Sequence, residues 1–171
     1  MLIFLLISSS ILSAVTERFS NIKTLECAFV ETLEIETWSI YFSGLVFISR
    51  DGSRIEVEEP DKQIIIFKED SVFIYIEKDN RLDKTIAPMS LSRLIFSPLD
   101  YYNIDSTIAG WTYLSAKEDI FSYPLSVFFN EKYFPERIRF TQEGVEGRFR
   151  FFKYKINPDL PDGIFSTDSF L

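Results

Sequence analysis

The chain has 171 residues, 46% of them apolar, which suits one domain with a substantial core and argues against disorder. Its formal charge is −8, and its 18 Lys and Arg residues are scattered rather than gathered into a basic stripe, which argues against nucleic acid as a partner. There is no histidine and a single cysteine, so the commonest general base, most zinc sites and any intrachain disulfide are excluded together. Eighteen phenylalanines and eight tyrosines point instead to pleated, half-buried strands.

Residues 1–14 open with an apolar run, Leu2 to Ile7, followed by serines and a small-residue ending at Ser13 and Ala14. This has the length of a secretory signal and is too short to span a bilayer, although no Lys or Arg follows Met1. Residues 15–171 then read as one exported, soluble domain. Cys27 follows the bulky acidic Glu26, which does not fit a lipoprotein anchor, and is most simply a small buried hydrophobe.

Val15, Phe19, Ile22 and Leu25 recur at helical spacing and predict an amphipathic helix that passes into an extended segment. From Trp38 to Ser49 the period becomes that of a strand, with Gly44 marking a bulge or bend. Arg50 to Ser53 is a turn signal, and Arg54 to Glu58 returns with strict alternation, completing a hairpin. Pro60 and Asp61 make a break before strands over 63–67 and 71–76. Both are apolar on two faces, so each side needs a cover.

The segment Met89 to Tyr102 differs. Ser90 and Ser92 can cap, Leu91, Leu94, Ile95 and Phe96 cluster, and Pro98 stops the run, which predicts a short helix or lid. Further strands are expected over 110–116, 125–129, 137–141 and 148–156. A meander of this kind makes a curved antiparallel sheet or partial barrel the economical topology.

In order and texture these pieces resemble the periplasmic outer-membrane lipoprotein carrier family, the LolA-like proteins, over about Phe19 to Phe165. The family's opening phrase, Leu-x-Ala-x-Phe-x-Gln, is met by Leu25, Cys27, Phe29 and Glu31, with Cys and Glu as departures. Gly44, Leu45 and Phe47 match its Gly before an apolar strand. Arg54, Val57 and Pro60 hold the places of its Arg-x-x-Tyr-x-x-Pro, with valine for the aromatic. Ser71 to Tyr75 and Lys155 to Phe165 resemble its next strand and closing phrase.

The resemblance implies a mainly β (α+β) fold, a curved antiparallel half-barrel with an N-terminal helix and a short helical lid over an apolar cavity. The expected lining is Phe29, Phe42, Phe47, Ile55, Val57, Ile64, Ile66, Phe73, Tyr75 and Phe140, and the expected lid residues are Leu91, Leu94, Ile95 and Phe96. An arginine at the hairpin is implied to hold the lid closed, with Arg50 and Arg54 as the two candidates. The implied function is a monomeric periplasmic carrier that shelters lipoprotein acyl chains between an inner-membrane release complex and an outer-membrane acceptor, with no cofactor, metal or catalytic residue. Two other readings stay open. One is a lipid- or lipoprotein-sensing interaction module of the envelope. The other is an enzyme on a β-rich scaffold, for which Glu56 and Glu58, on one strand face, offer no recognisable site and the serines lack a base. Two-faced apolar strands and many phenylalanines are also what a solidly packed β-sandwich shows.

Overall fold

The computed structural model describes residues 14–86, 91–117 and 124–170. Residues 1–13, which carry nearly all of the predicted leader, lie outside them. The predicted helix is present as α1, helical over 14–20, but ends sooner than its apolar spacing suggested. Ser20 Oγ turns back to the Glu17 carbonyl at 2.7 Å, and Arg50 Nη2 donates to the Ser20 carbonyl at 3.1 Å. A cation at the last free carbonyls of a helix satisfies an orphan acceptor and complements the helix dipole. Leu25 therefore belongs to a strand, yet it is still buried, because the chain turns its apolar side to the same core.

The strands follow in the order β1 (Thr24–Ile35), β2 (Trp38–Ser49), β3 (Ser53–Glu59), β4 (Gln63–Lys68), β5 (Ser71–Ile76) and β6 (Arg81–Ile86). After helices α2 (Leu91–Phe96) and α3 (Pro98–Tyr101) come β7 (Tyr102–Ile108), β8 (Trp111–Ala116), β9 (Leu125–Phe129), β10 (Pro135–Gln142) and β11 (Val145–Ile156). All eleven pair antiparallel in one sheet, ordered β6-β5-β4-β3-β2-β1-β11-β10-β9-β8-β7. The pairing of β1 with β11 joins two meanders at the centre and leaves β6 and β7 as unpaired edges, so the sheet curls without closing: the expected half-barrel. This topology has a direct consequence for the lid. The chain must pass from one edge of the sheet to the other between β6 and β7, and α2 and α3 lie on that crossing.

Gly44 sits where the backbones of β2 and β3 leave no room for a side chain. A Cβ there would stand 1.8 Å from the Glu56 carbonyl oxygen and 3.0 Å from the Phe29 ring. The β2–β3 register shifts at this point, between Ser43 and Gly44, which is the predicted bulge.

Strands β6 and β7 had no counterpart in the sequence pattern. Arg81–Ile86 is nearly all exposed and strongly charged, the composition that blunts a free sheet edge, and it carries no apolar alternation to find. Strand β7 begins at Tyr102, inside the segment predicted as lid, so the helical part ends at Tyr101. Pro98 ends α2 as predicted and also opens α3, a position where its missing N–H costs nothing.

The core lies between the concave face and α1. Phe19 is 1% exposed and meets Phe96 of α2 and Phe134 edge-on, with ring centroids 6.2 and 5.4 Å away. The opposite, convex face of β3 to β5 has its own cover. Residues 164–170 lie across it, with Arg54 Nη1 donating to the Ile164 carbonyl at 3.1 Å and Phe170 stacked on Tyr75 at 4.6 Å. Ile66, on that face, is only 1% exposed. Both sides of the two-faced apolar strands are thus covered, one by the concave interior and the other by the C-terminal segment.

Candidate functional site

A cavity of about 400 Å³ opens within the concave face, a size in the range of small-molecule and cofactor sites. Its walls are set by strand parity. On β1 the alternate residues Leu25, Cys27, Phe29 and Glu31 point inward; Val46 and Ile48 of β2 stand directly opposite Cys27 and Leu25. Ile55 and Val57 of β3 and Ile65 of β4 continue one wall, while Phe149, Phe151 and Tyr154 of β11 and Ile138 and Phe140 of β10 form the other. Ile95 of α2 and Tyr102 close the helical end. A smaller cavity of about 60 Å³ lies beyond them toward Val15 and Phe19 and shares Ile95 and Tyr102 as walls.

Of the expected lining, Phe29, Ile55, Val57 and Phe140 face this chamber. Phe42 lies on the same sheet face, opposite Glu31, and packs at the margin of the core without reaching the wall. Five others must be corrected. Phe47 pairs with Arg54, Arg54 with Ile66, Ile66 with Phe73 and Ile64 with Tyr75, so Phe47, Ile64, Ile66, Phe73 and Tyr75 all lie on the convex face. Directly opposed residues of an antiparallel pair share a face, and a one-residue change of register moves the whole set to the other side. In the Ile64–Ile65–Ile66 run the chamber residue is the middle one.

The lid residues divide in the same way. Ile95 faces the chamber, and Phe96 is buried against Phe19. The side chains of Leu91 and Leu94 lie outside the described residues. The two arginine candidates separate cleanly. The Arg50 guanidinium lies 5.1 Å above the Phe96 ring while bonding the end of α1, so it bridges the β2–β3 turn to both helices. Arg54 points to the convex face, where it pairs with Glu56 at 2.7 Å and holds the C-terminal segment. Of the two, Arg50 is the one that contacts the helices among the described residues.

Four polar side chains line the chamber: Cys27, Glu31, Tyr102 and Tyr154. The Cys27 thiol is 3% exposed, and burial pushes its pKa up to about 12, which leaves it an unreactive thiol. The Tyr154 hydroxyl donates to the Pro135 carbonyl, and burial raises its pKa. The Glu31 carboxylate has no hydrogen-bond or ion-pair partner among the described residues, and desolvation raises its pKa from 4.5 to about 7. Among the described residues, no group of His, Cys, Asp and Glu could hold a metal ion, and no helix is long and apolar enough to cross a membrane.

Sequence reasoning missed Leu25, Val46, Ile48, Ile65, Phe149, Phe151 and Tyr154 as wall residues. For two of them the signal was present: Phe149 and Phe151 alternate with Arg148 and Arg150, which turns the phenylalanines inward.

No protein-family model and no curated protein sequence matches the chain. Solved structures do. A LolA superfamily protein from Nitrosomonas europaea superposes with a TM-score of 0.58 at 14% identity, over 95% of this chain and 98% of that one. The fold is LolA-like. A domain described as an outer membrane lipoprotein-sorting protein from Vibrio parahaemolyticus gives a TM-score of 0.55 at 10% identity, covering 95% of this chain and 99% of that one. The MucA/MucB complex of Pseudomonas aeruginosa contains a chain matched at 0.54 and 12% identity, over 95% of this chain and 62% of the other. The LolA-like architecture therefore extends over 95% of the chain, with a chamber on the concave side of its sheet.

Proposed function

We propose that this LolA-like chain is a carrier that shelters lipoprotein acyl chains in its concave chamber during passage through the aqueous space of the bacterial envelope, and that it performs no catalysis. The observation that carries the reading is the chamber itself, about 400 Å³ walled by aliphatic and aromatic side chains, in a fold shared with a lipoprotein-sorting domain. Each methylene withdrawn from water stabilises the bound state by about 0.8 kcal/mol, so even a partly sheltered chain supplies several kcal/mol without any polar contact. An apolar surface of this extent also needs a cover when empty, since exposed patches of several hundred Å² invite association. Helix α2, held by Arg50, supplies that cover with Ile95. Moving α2 aside widens the chamber for a bulky cargo, and the stacking of Arg50 on Phe96 is the contact that breaks when it does.

The test compares a synthetic peptide carrying an acylated N-terminal cysteine with its deacylated form. One-to-one retention of the acylated peptide alone is the expected result. Ile65→Trp, which fills the chamber without adding charge, should weaken retention at least tenfold while leaving the circular dichroism spectrum unchanged. Equal binding of the two peptides, or full binding by the filled variant, would remove the reading. The match to the MucA/MucB complex favours a second reading, an envelope-sensing module that binds a partner protein and uses acyl chains as a signal. Acyl binding that is not followed by transfer of the lipopeptide to acceptor vesicles, in any envelope extract, would favour it over carriage.

A further inference from the structure

Along β1 the chamber wall runs from Leu25 beside the helices to Glu31, six residues or about 20 Å farther on. Glu31 is half-buried, so this end of the chamber reaches water, and it is the one carboxylate among the described wall residues. Among the described residues, its surroundings offer it no cation. On its own strand Phe29 and Leu33 precede and follow it on the same face, and Phe42 of β2 and Phe149 of β11 stand directly opposite. Phe140 of β10 lies across Gly147, the next inward residue of β11. The charged groups of these strands point the other way: Arg148 pairs with Glu34 and Glu146 at 3.0 Å each, and Arg150 lies opposite Val30, all on the convex face. The remaining titratable groups of the wall, Cys27, Tyr102 and the hydrogen-bonded Tyr154, are a thiol and two phenols and supply no positive charge.

A hydrocarbon chain seated in the chamber leaves its polar end where water can reach it, because burying that end without partners is costly. At this rim the polar end meets a single unpaired carboxylate in an apolar ring, where like charges repel and opposite charges attract more strongly than in water. We propose that Glu31 selects the ligand by charge: the chamber accepts chains whose polar end is an ammonium group or is uncharged, and rejects chains ending in a carboxylate or phosphate. This rests on the acyl-chain reading above and adds the class of chain to it.

The experiment measures displacement of an uncharged fluorescent alkyl probe by dodecylamine, dodecanol and dodecanoate, each below its micellar concentration, at pH 8.5. The wild-type protein is expected to bind the amine at least as tightly as the alcohol and the carboxylate at least tenfold more weakly. Glu31→Gln should bring the three within about threefold of one another, and Glu31→Asp should keep the order. Equal binding of all three by the wild-type protein, or an unchanged order in the Gln variant, overturns the assignment of Glu31 while leaving the chamber reading intact. Failure of the wild-type protein to bind the probe or any of the three overturns both.

Discussion

Replacing Glu31 with glutamine should stabilise the folded chain at alkaline pH and leave it unchanged in acid. The carboxyl has an ordinary pKa near 4.5 when the chain is unfolded and about 7 in the folded wall, where burial disfavours its ionised form. Because the folded pKa is the higher one, the folded state binds the proton more tightly, and stability falls as pH rises between the two values. Below about 4.5 both states are protonated and the group contributes no penalty; above about 7 the penalty is complete. A shift of this size corresponds to a ceiling of about 3 kcal/mol, and solvent screening at the half-buried rim reduces the expected effect to about 1–2 kcal/mol. The Gln variant should therefore match the wild-type protein at pH 4 and exceed it by about 1–2 kcal/mol at pH 8, a rise of roughly 2–8 °C in Tm for a chain of this size. Urea denaturation at intervals from pH 4 to pH 8.5 reads this directly, with Glu131→Gln, in an exposed turn, as a control for the change in net charge. A stability difference that is independent of pH, or equal in the control, would show that Glu31 is well solvated and would refute the reasoning.

Other outcomes follow from the same geometry. Gly44→Ala puts a Cβ 1.8 Å from the Glu56 carbonyl and forces β2 and β3 apart, so a loss of about 3 kcal/mol is expected in urea denaturation. Gly144→Ala, at φ +84° with no atom within 4 Å of the new carbon, should cost only about 1 kcal/mol of backbone strain. Arg50→Ala removes a cation–π contact and a helix-end hydrogen bond together worth about 1 kcal/mol, so amides of α2 should exchange with deuterium severalfold faster. Arg54→Ala should leave α2 unchanged and speed exchange in residues 164–170 instead. Cys27 should resist iodoacetamide at pH 8 in the native protein and react at once in denaturant, as its burial and its pKa of about 12 require.

The sequence made the architecture readable wherever polarity and period agreed. The Trp38–Ser49 strand, the Arg50–Ser53 turn and the Gly44 bulge each have a local physical cause, and the structure shows each where the pattern put it. The face of a strand was a harder matter. In Arg54-Ile55-Glu56-Val57 the charged residues mark the outside, but in Ile64-Ile65-Ile66-Phe67 every residue is apolar because both faces are covered. Parity there comes only from register with β3, which places Ile65 opposite Ile55. That is why Ile64, Ile66, Phe73 and Tyr75 belong to the convex side: residues 164–170, far away in sequence, need an apolar surface of their own. Edge strand β6 was invisible for the opposite reason, since a charged, solvated edge has no apolar pattern at all. Glu31 was read only as a departure from a motif. Its isolation became evident once Phe42 and Phe149 were seen on either side of it.

The most direct test of the acyl-chain chamber is a crystal structure of the protein with a lipopeptide whose acyl chain carries a bromine midway along its length, located by anomalous scattering. The account expects the bromine inside the concave face, in van der Waals contact with Phe29, Ile65 or Phe149, with α2 displaced from its closed position. Bromine found only on the outer surface, with the interior filled by its own side chains, would contradict it.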